Sequence, residues 1–216
     1  MPAGGALPDW PVYDDYTDKL GKMYGYDEVV DLAEALEMYF IMFRHHVEVG
    51  RQASWGVNWD CWINNPYKRL LNLETSKDYF INEDAKKYQK NALRYIMARW
   101  GHSPSFAFYG YSEVDLWVEE TGLDDSESFK LFADWFSEMK NYIKSELHFT
   151  GNKFICSFRS GRPISDLKHP NPASKIFDEC DVISLHTYSY KKNDNFRRFE
   201  YVKDFMEEWD NKKPVL

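Results

Sequence analysis

Residues 95–115 read YIMARWGHSPSFAFYGYSEVD. The apolar spacing that runs into Trp100 is helical, Gly101 and Pro104 interrupt it, and SFAFY then has the aromatic density of a strand beginning after the proline. The stretch closes on two carboxylates, Glu113 and Asp115. Helix, turn, buried strand and polar strand end make one repeating unit of an α/β fold, and similar units lie on both sides.

Upstream, the spacing of Tyr88, Ala92, Tyr95 and Ile96 predicts a helix from Glu83 to Trp100, capped by Asn82. MYFIMF, Met38 to Phe43, is apolar without alternation, the pattern of a strand buried on both faces of a parallel sheet. Before it, Val29, Val30, Ala33 and Leu36 place a helix over Tyr26–Leu36, with acidic residues near its start, and the first 25 residues read as loop. From Val49 to Asn82, Trp55, Trp59, Trp62 and Tyr67 are interleaved with Asn and Asp. A loop of that length in a compact domain is usually functional.

Downstream, Ser126 precedes a helix whose Phe129, Phe132, Ala133, Phe136, Met139 and Ile143 form one apolar stripe. KFICSF (Lys153–Phe158) and DVISLH (Asp181–His186) are further strands, separated by turns and a short helix. A charged helix around Phe199–Trp209 leads to KKPVL, which begins another strand. Alternating helices and buried strands argue for parallel βαβ units in one domain over residues 1–216, since no linker divides the chain. They fit an open sheet or part of a (β/α)₈ TIM barrel. A complete barrel takes about 250 residues, so here the barrel would be incomplete.

The chain has 216 residues and a formal net charge of −8, with no Lys/Arg run able to track a phosphate backbone, which argues against nucleic acid as a partner. Aromatic residues make up 18% of it, an excess hard to attribute to core filling alone and suited to a groove with flat platforms for sugar rings. Cys61, Cys156 and Cys180 are too few and too scattered for a disulfide framework or a CxxC metal site. No window approaches a membrane span of about 20 apolar residues, and the opening MPAGGALPDW has neither a basic leader nor an apolar core.

In parallel α/β folds, functional side chains gather at the carboxyl ends of the strands. Here these are His45, His46 and Glu48; Tyr111, Ser112, Glu113 and Asp115; Arg159; and His186 with Tyr188. Neither GxGxxG nor GxxxxGK is present, so dinucleotide and P-loop cofactors lack their phosphate cradle. Adjacent residues on a strand point to opposite faces, so the His45-His46 pair is poorly placed to share a metal ion. Glu113 is the strongest candidate for chemistry. A carboxylic acid among Tyr109, Tyr111 and Trp117 has a raised pKa if those rings desolvate it, as a general acid near neutral pH requires. Its alternative is a rim glutamate in a salt bridge.

YIMARWGHSPSFAFYGYSEVD resembles the segment of clan A glycoside hydrolases, the (β/α)₈ cellulase, mannanase and galactosidase-like group, in which a helix ends in ARWG-like sequence and a strand runs to an Asn-Glu pair. NWDCWINNPYK, LHTYS and the final KKPVL also look like their counterparts there, so the likeness spans most of residues 26–216. The resemblance implies that MYFIMF, SFAFY, KFICSF and DVISLH are the third to sixth barrel strands and that PVL opens the seventh. WPVYDD then belongs to the loop after the second strand, and the first two strands are absent.

Carried over, Glu113 matches the acid/base of retaining hydrolysis, and His186 and Tyr188 match rim positions after the sixth strand. Trp55, Trp59 or Trp62 would stack on sugar, and His46 and Ser112 would contact the substrate. Oligo- or polysaccharide is the implied partner, with no cofactor and no metal, and a secreted or periplasmic location follows from such substrates. The retaining nucleophile follows the seventh strand, so the resemblance implies a chain that ends before its nucleophile and is inactive alone. One departure stands out: Ser112 occupies the position of the Asn that donates to the sugar 2-hydroxyl, with a shorter reach and one donor. That points to an altered substrate or to a non-catalytic carbohydrate-binding or structural barrel.

Overall fold

The structure, a computed structural model, describes residues 20–45, 62, 65–114, 125–159, 174–186, 200, 202–204, 206–207 and 214. Helix α1 (Leu20–Ala35) leads to strand β1 (Phe40–His45); α2 (Pro66–Leu71), α3 (Asp78–Ile81) and α4 (Glu83–Trp100) precede β2 (Phe106–Tyr111). Helix α5 (Asp125–Asn141) runs on into a π-turn over Tyr142–Glu146 and is followed by β3 (Lys153–Arg159), α6 (Ser174–Glu179) and β4 (Val182–His186). The four described strands form one sheet in the order β1-β2-β3-β4, and every pair is parallel. Each strand therefore lies beside its successor in the chain, with no reversal of order and hence no topological switch point among them. Beyond β4, Ile183 N donates to Pro214 O at 3.1 Å, where KKPVL was expected to continue the sheet.

Asn82 caps α4 as expected: its Oδ1 accepts from Ala85 N at 3.0 Å. The predicted stripe of α5 is the core, with Phe129, Phe132, Ala133, Phe136, Met139 and Ile143 all buried. Strand side chains alternate. Tyr109 and Tyr111 of β2 and Phe154 of β3 point to the helices, where Tyr111 packs on Trp135 at 5.0 Å and on Phe136 at 5.7 Å between ring centroids. Tyr79, Phe80 and Phe132 extend the same cluster through tilted and edge-to-face contacts, the geometry that the ring quadrupole favours. A buried polar link threads it: Trp135 Nε1 donates to Gln89 Oε1 (2.7 Å), and Gln89 Nε2 donates to Tyr79 O (2.8 Å). Core filling thus takes up many of the aromatic residues.

Three other expectations change. Helix α1 starts at Leu20, within the segment read as loop, and has no acidic residue in its first turn. It docks by Met23, Val30 and a bidentate pair: Arg99 Nε and Nη2 donate to Asp27 at 2.8 and 2.6 Å, and Trp100 Nε1 adds a bond of 2.8 Å. The MYFIMF run is not buried on both faces. β1 is an edge of the described sheet, so nothing described pairs with its far side, and Tyr39 and Ile41 are 73% and 38% exposed. The Val49–Asn82 segment is not all loop, because Asn65 caps α2 and α3 follows. Cys156 and Cys180 are buried free thiols, and burial, then the neighbouring Cys180, pushes the Cys156 thiol well up, which keeps it inert.

Candidate functional site at the carboxyl ends of the strands

Because Tyr109 and Tyr111 point to the helices, alternation turns Gly110 and Ser112 to the opposite face of the sheet, and Ser157 of β3 shares that face. Gly110 lies so close to β3 that a Cβ there would sit 2.0 Å from Ile155 O, so only glycine fits. The unusual Tyr109-Gly110-Tyr111 sequence is accounted for: two rings anchor one face of the strand and bare backbone meets β3 on the other.

After Tyr111 the chain turns sharply. Ser112 and Glu113 are each 4% exposed, and Glu113 takes a left-handed backbone with φ 51°. Its N–H donates to Ser157 Oγ at 2.8 Å, and the Ser157 hydroxyl donates in turn to Ser112 Oγ at 3.3 Å. The Glu113 carboxylate meets His186 from β4, with Oε1 3.0 Å from Nδ1. The imidazole is the more open partner, its side chain 27% exposed against 6% for Glu113. A carboxylate held against an imidazole, with little water around it, is a pair between which a proton can be passed or held.

Three of the expected residues, Ser112, Glu113 and His186, are therefore brought together from β2 and β4. Trp62 is not with them. It is 2% exposed, its Nε1 donates to Glu74 O (3.2 Å), and Lys68 Nζ covers the ring at 5.5 Å while also bonding Leu73 O. It buttresses the turn after α2 and presents no face to a sugar. Tyr109 and Tyr111 lie on the helix side of the sheet, packed on Phe154 and Trp135. His46, Trp55, Trp59, Trp117 and Tyr188 lie outside the described residues, as do Glu48 and Asp115.

Sequence reasoning missed Ser157, which is fully buried. The available signal was a hydroxyl in an otherwise apolar strand, KFICSF, in phase with Ser184 and His186 across the β3–β4 pair. Among the described residues, no group of three or more His, Cys, Asp or Glu could hold a metal, and no helix is long and apolar enough to cross a membrane. No family model and no curated protein matches this sequence.

Proposed function

We propose that this chain carries the acid/base half of a retaining β-glycoside hydrolase, built on part of a (β/α)₈ barrel. The observation that carries the reading is Glu113: a buried carboxylate at the carboxyl end of a parallel strand, in a left-handed backbone, hydrogen-bonded to His186. The unreversed order of four parallel strands supports the barrel, whose wall has that order, over a doubly wound sheet, whose order reverses.

In this reading Glu113 protonates the leaving glycosidic oxygen while a second carboxylate attacks the anomeric carbon. Glu113 then removes a proton from the water that hydrolyses the glycosyl intermediate. The second carboxylate belongs about 5 to 5.5 Å from the first, at the end of the strand that follows β4, beyond Leu216. His186 fixes Oε1 so that the carboxyl keeps one orientation through both steps. The substrate is a β-linked oligo- or polysaccharide, and such substrates suit a secreted or periplasmic enzyme.

The non-catalytic alternative, a carbohydrate-binding or structural barrel, is favoured by Ser112. That residue is almost fully buried and its oxygen already accepts from Ser157, where the hydrolases present an asparagine amide. Assaying the polypeptide extended with its native sequence past Leu216 on aryl and alkyl β-glycosides separates the two. Hydrolysis that Glu113→Gln impairs far more for poor alkyl leaving groups than for activated aryl ones identifies a proton donor. Glycan binding without turnover in the extended chain supports the alternative.

A further inference from the structure

We infer that Ser157 is the positioning residue that sets where the Glu113 carboxylate lies, an inference that takes the acid/base role of Glu113 from the reading above. Non-glycine residues in the left-handed region are strained by about 1–2 kcal/mol and persist where their surroundings over-determine them. The described residues hold four: Glu37, Asn72, Glu113 and His148. Three end helices and are followed by a backbone bond to the preceding turn: Met38 N to Ala33 O (2.8 Å), Leu73 N to Lys68 O (3.1 Å) and Phe149 N to Ile143 O (3.1 Å). Glu113 follows a strand instead. Its own N–H is tied across the sheet to the Ser157 hydroxyl, so the bond comes from tertiary structure.

The sheet order sets how far the Glu113 side chain has to reach. Strand β3 lies between β2 and β4, so the Glu113 side chain must cross over β3 to reach His186. Two strand spacings amount to about 9.5 Å, so the carboxylate reaches His186 only if the turn after β2 aims the Glu113 side chain across β3. Serine is small and still offers an acceptor to the Glu113 N–H. Its own proton goes to Ser112 Oγ, so one buried hydroxyl ties the Glu113 backbone and the Ser112 side chain at the end of β2.

The test compares Ser157→Ala, Ser157→Cys and Ser157→Thr in the isotopically labelled 216-residue chain by NMR. Alanine removes the acceptor, cysteine keeps the volume with a weak one, and threonine keeps the hydroxyl. Alanine and cysteine should speed hydrogen exchange of the Glu113 amide about tenfold, the loss of one hydrogen bond. They should also abolish the cross-peak between the Glu113 side chain and the His186 ring, while the strand amides of Tyr111 and Ile155 keep their protection. Threonine should restore both signals. If the Glu113 amide and the cross-peak survive in the cysteine variant, or if the strand amides lose protection equally, Ser157 does not position Glu113.

In the extended, active polypeptide, Ser157→Ala should lower kcat about 100-fold on alkyl glycosides with KM unchanged, and threonine should recover it. Should the unsubstituted extended chain hydrolyse nothing, the hydrolase reading falls and the NMR comparison still decides the role of Ser157. Turnover that persists undiminished in Ser157→Ala removes the positioning role and leaves the hydrolase reading standing.

Discussion

Glu37 and Glu113 have the same side chain and nearly the same backbone, φ 53° and 51°, and opposite circumstances. Glu37 ends α1 on the surface, where Met38 N reaches back to Ala33 O, as in any helix that closes through a left-handed residue. Glycine or asparagine would serve there as well, and the glutamate is incidental. Glu113 is buried, follows a strand, and is held by two side chains from two other strands. The same strained conformation is thus a local terminus in one place and a tertiary construction in the other, and only the second explains why a costly residue type is kept.

The largest expected effect breaks the comparison at its functional end. If Glu113 is the proton donor proposed above, Glu113→Gln in the extended polypeptide keeps the volume and removes that proton, so kcat on alkyl β-glycosides should fall about 10²- to 10⁴-fold, the usual range for general acid–base catalysis. Thermal unfolding and glycan affinity should change little by comparison. A variant that hydrolyses such substrates at the parent rate would reduce Glu113 to a second Glu37, a residue with an unusual backbone and no chemistry.

Next in size is Gly110→Ala, which tests whether the end of β2 is set by the close approach of β3. With Ile155 O only 2.0 Å from the added carbon, the strands must separate, and overpacking of this kind costs about 1–3 kcal/mol. Denaturant unfolding should show that loss, and the Glu113 amide should lose protection with it. Unchanged stability would mean that β2 and β3 are less tightly apposed than described.

What the sequence made legible follows from which forces are local. The α5 stripe, the Asn82 cap and the β2–β4 strands could be read because period and capping are properties of neighbouring residues. The place of β1 at the edge of the described sheet could not, since an apolar run such as MYFIMF carries no record of how many strands flank it. Trp62 was misread for a related reason: an indole in a stretch interspersed with Asn and Asp looks the same whether it lines a groove or, as here, braces the turn after α2. At the site, Glu113 and His186 were legible as strand-end residues. Ser157 was not, because its value comes from lying between two strands and that adjacency exists only in the folded sheet.

A smaller effect concerns the attachment of α1. Hydrogen bonds from Arg99, with a further bond from Trp100, hold the Asp27 carboxyl below its ordinary value of 3.8. A depressed carboxylate pKa contributes stability that is present above the unfolded value and lost as pH falls through the folded one. Stability should therefore drop below about pH 3.8 in the parent, and Asp27→Asn should flatten that part of the profile. Both side chains are about a third open, 29% and 31%, so the contribution at neutral pH is screened to about 1 kcal/mol or less and should shrink further in molar salt. An unchanged acid limb in Asp27→Asn would show that α1 is held by Met23 and Val30 alone.

The smallest effect sharpens the comparison from its other end. If the left-handed backbone at Glu37 is only a helix terminus, Glu37→Gly relieves the steric cost of the side chain and adds back some unfolded-state freedom. The net should be stabilisation of about 0.5–1 kcal/mol by denaturant unfolding. At Glu113 the same substitution relieves the same backbone, yet it removes a buried carboxylate that meets His186 and leaves a void in its place. The relief is then offset by lost packing and by an imidazole stripped of that partner, so Glu113→Gly should be neutral or destabilising. Opposite signs for one substitution at two residues of matching φ would show that the strain at Glu113 is sustained by its tertiary contacts. Equal gains at both would show that those contacts contribute nothing to stability and that the turn after β2 is as local as the end of α1.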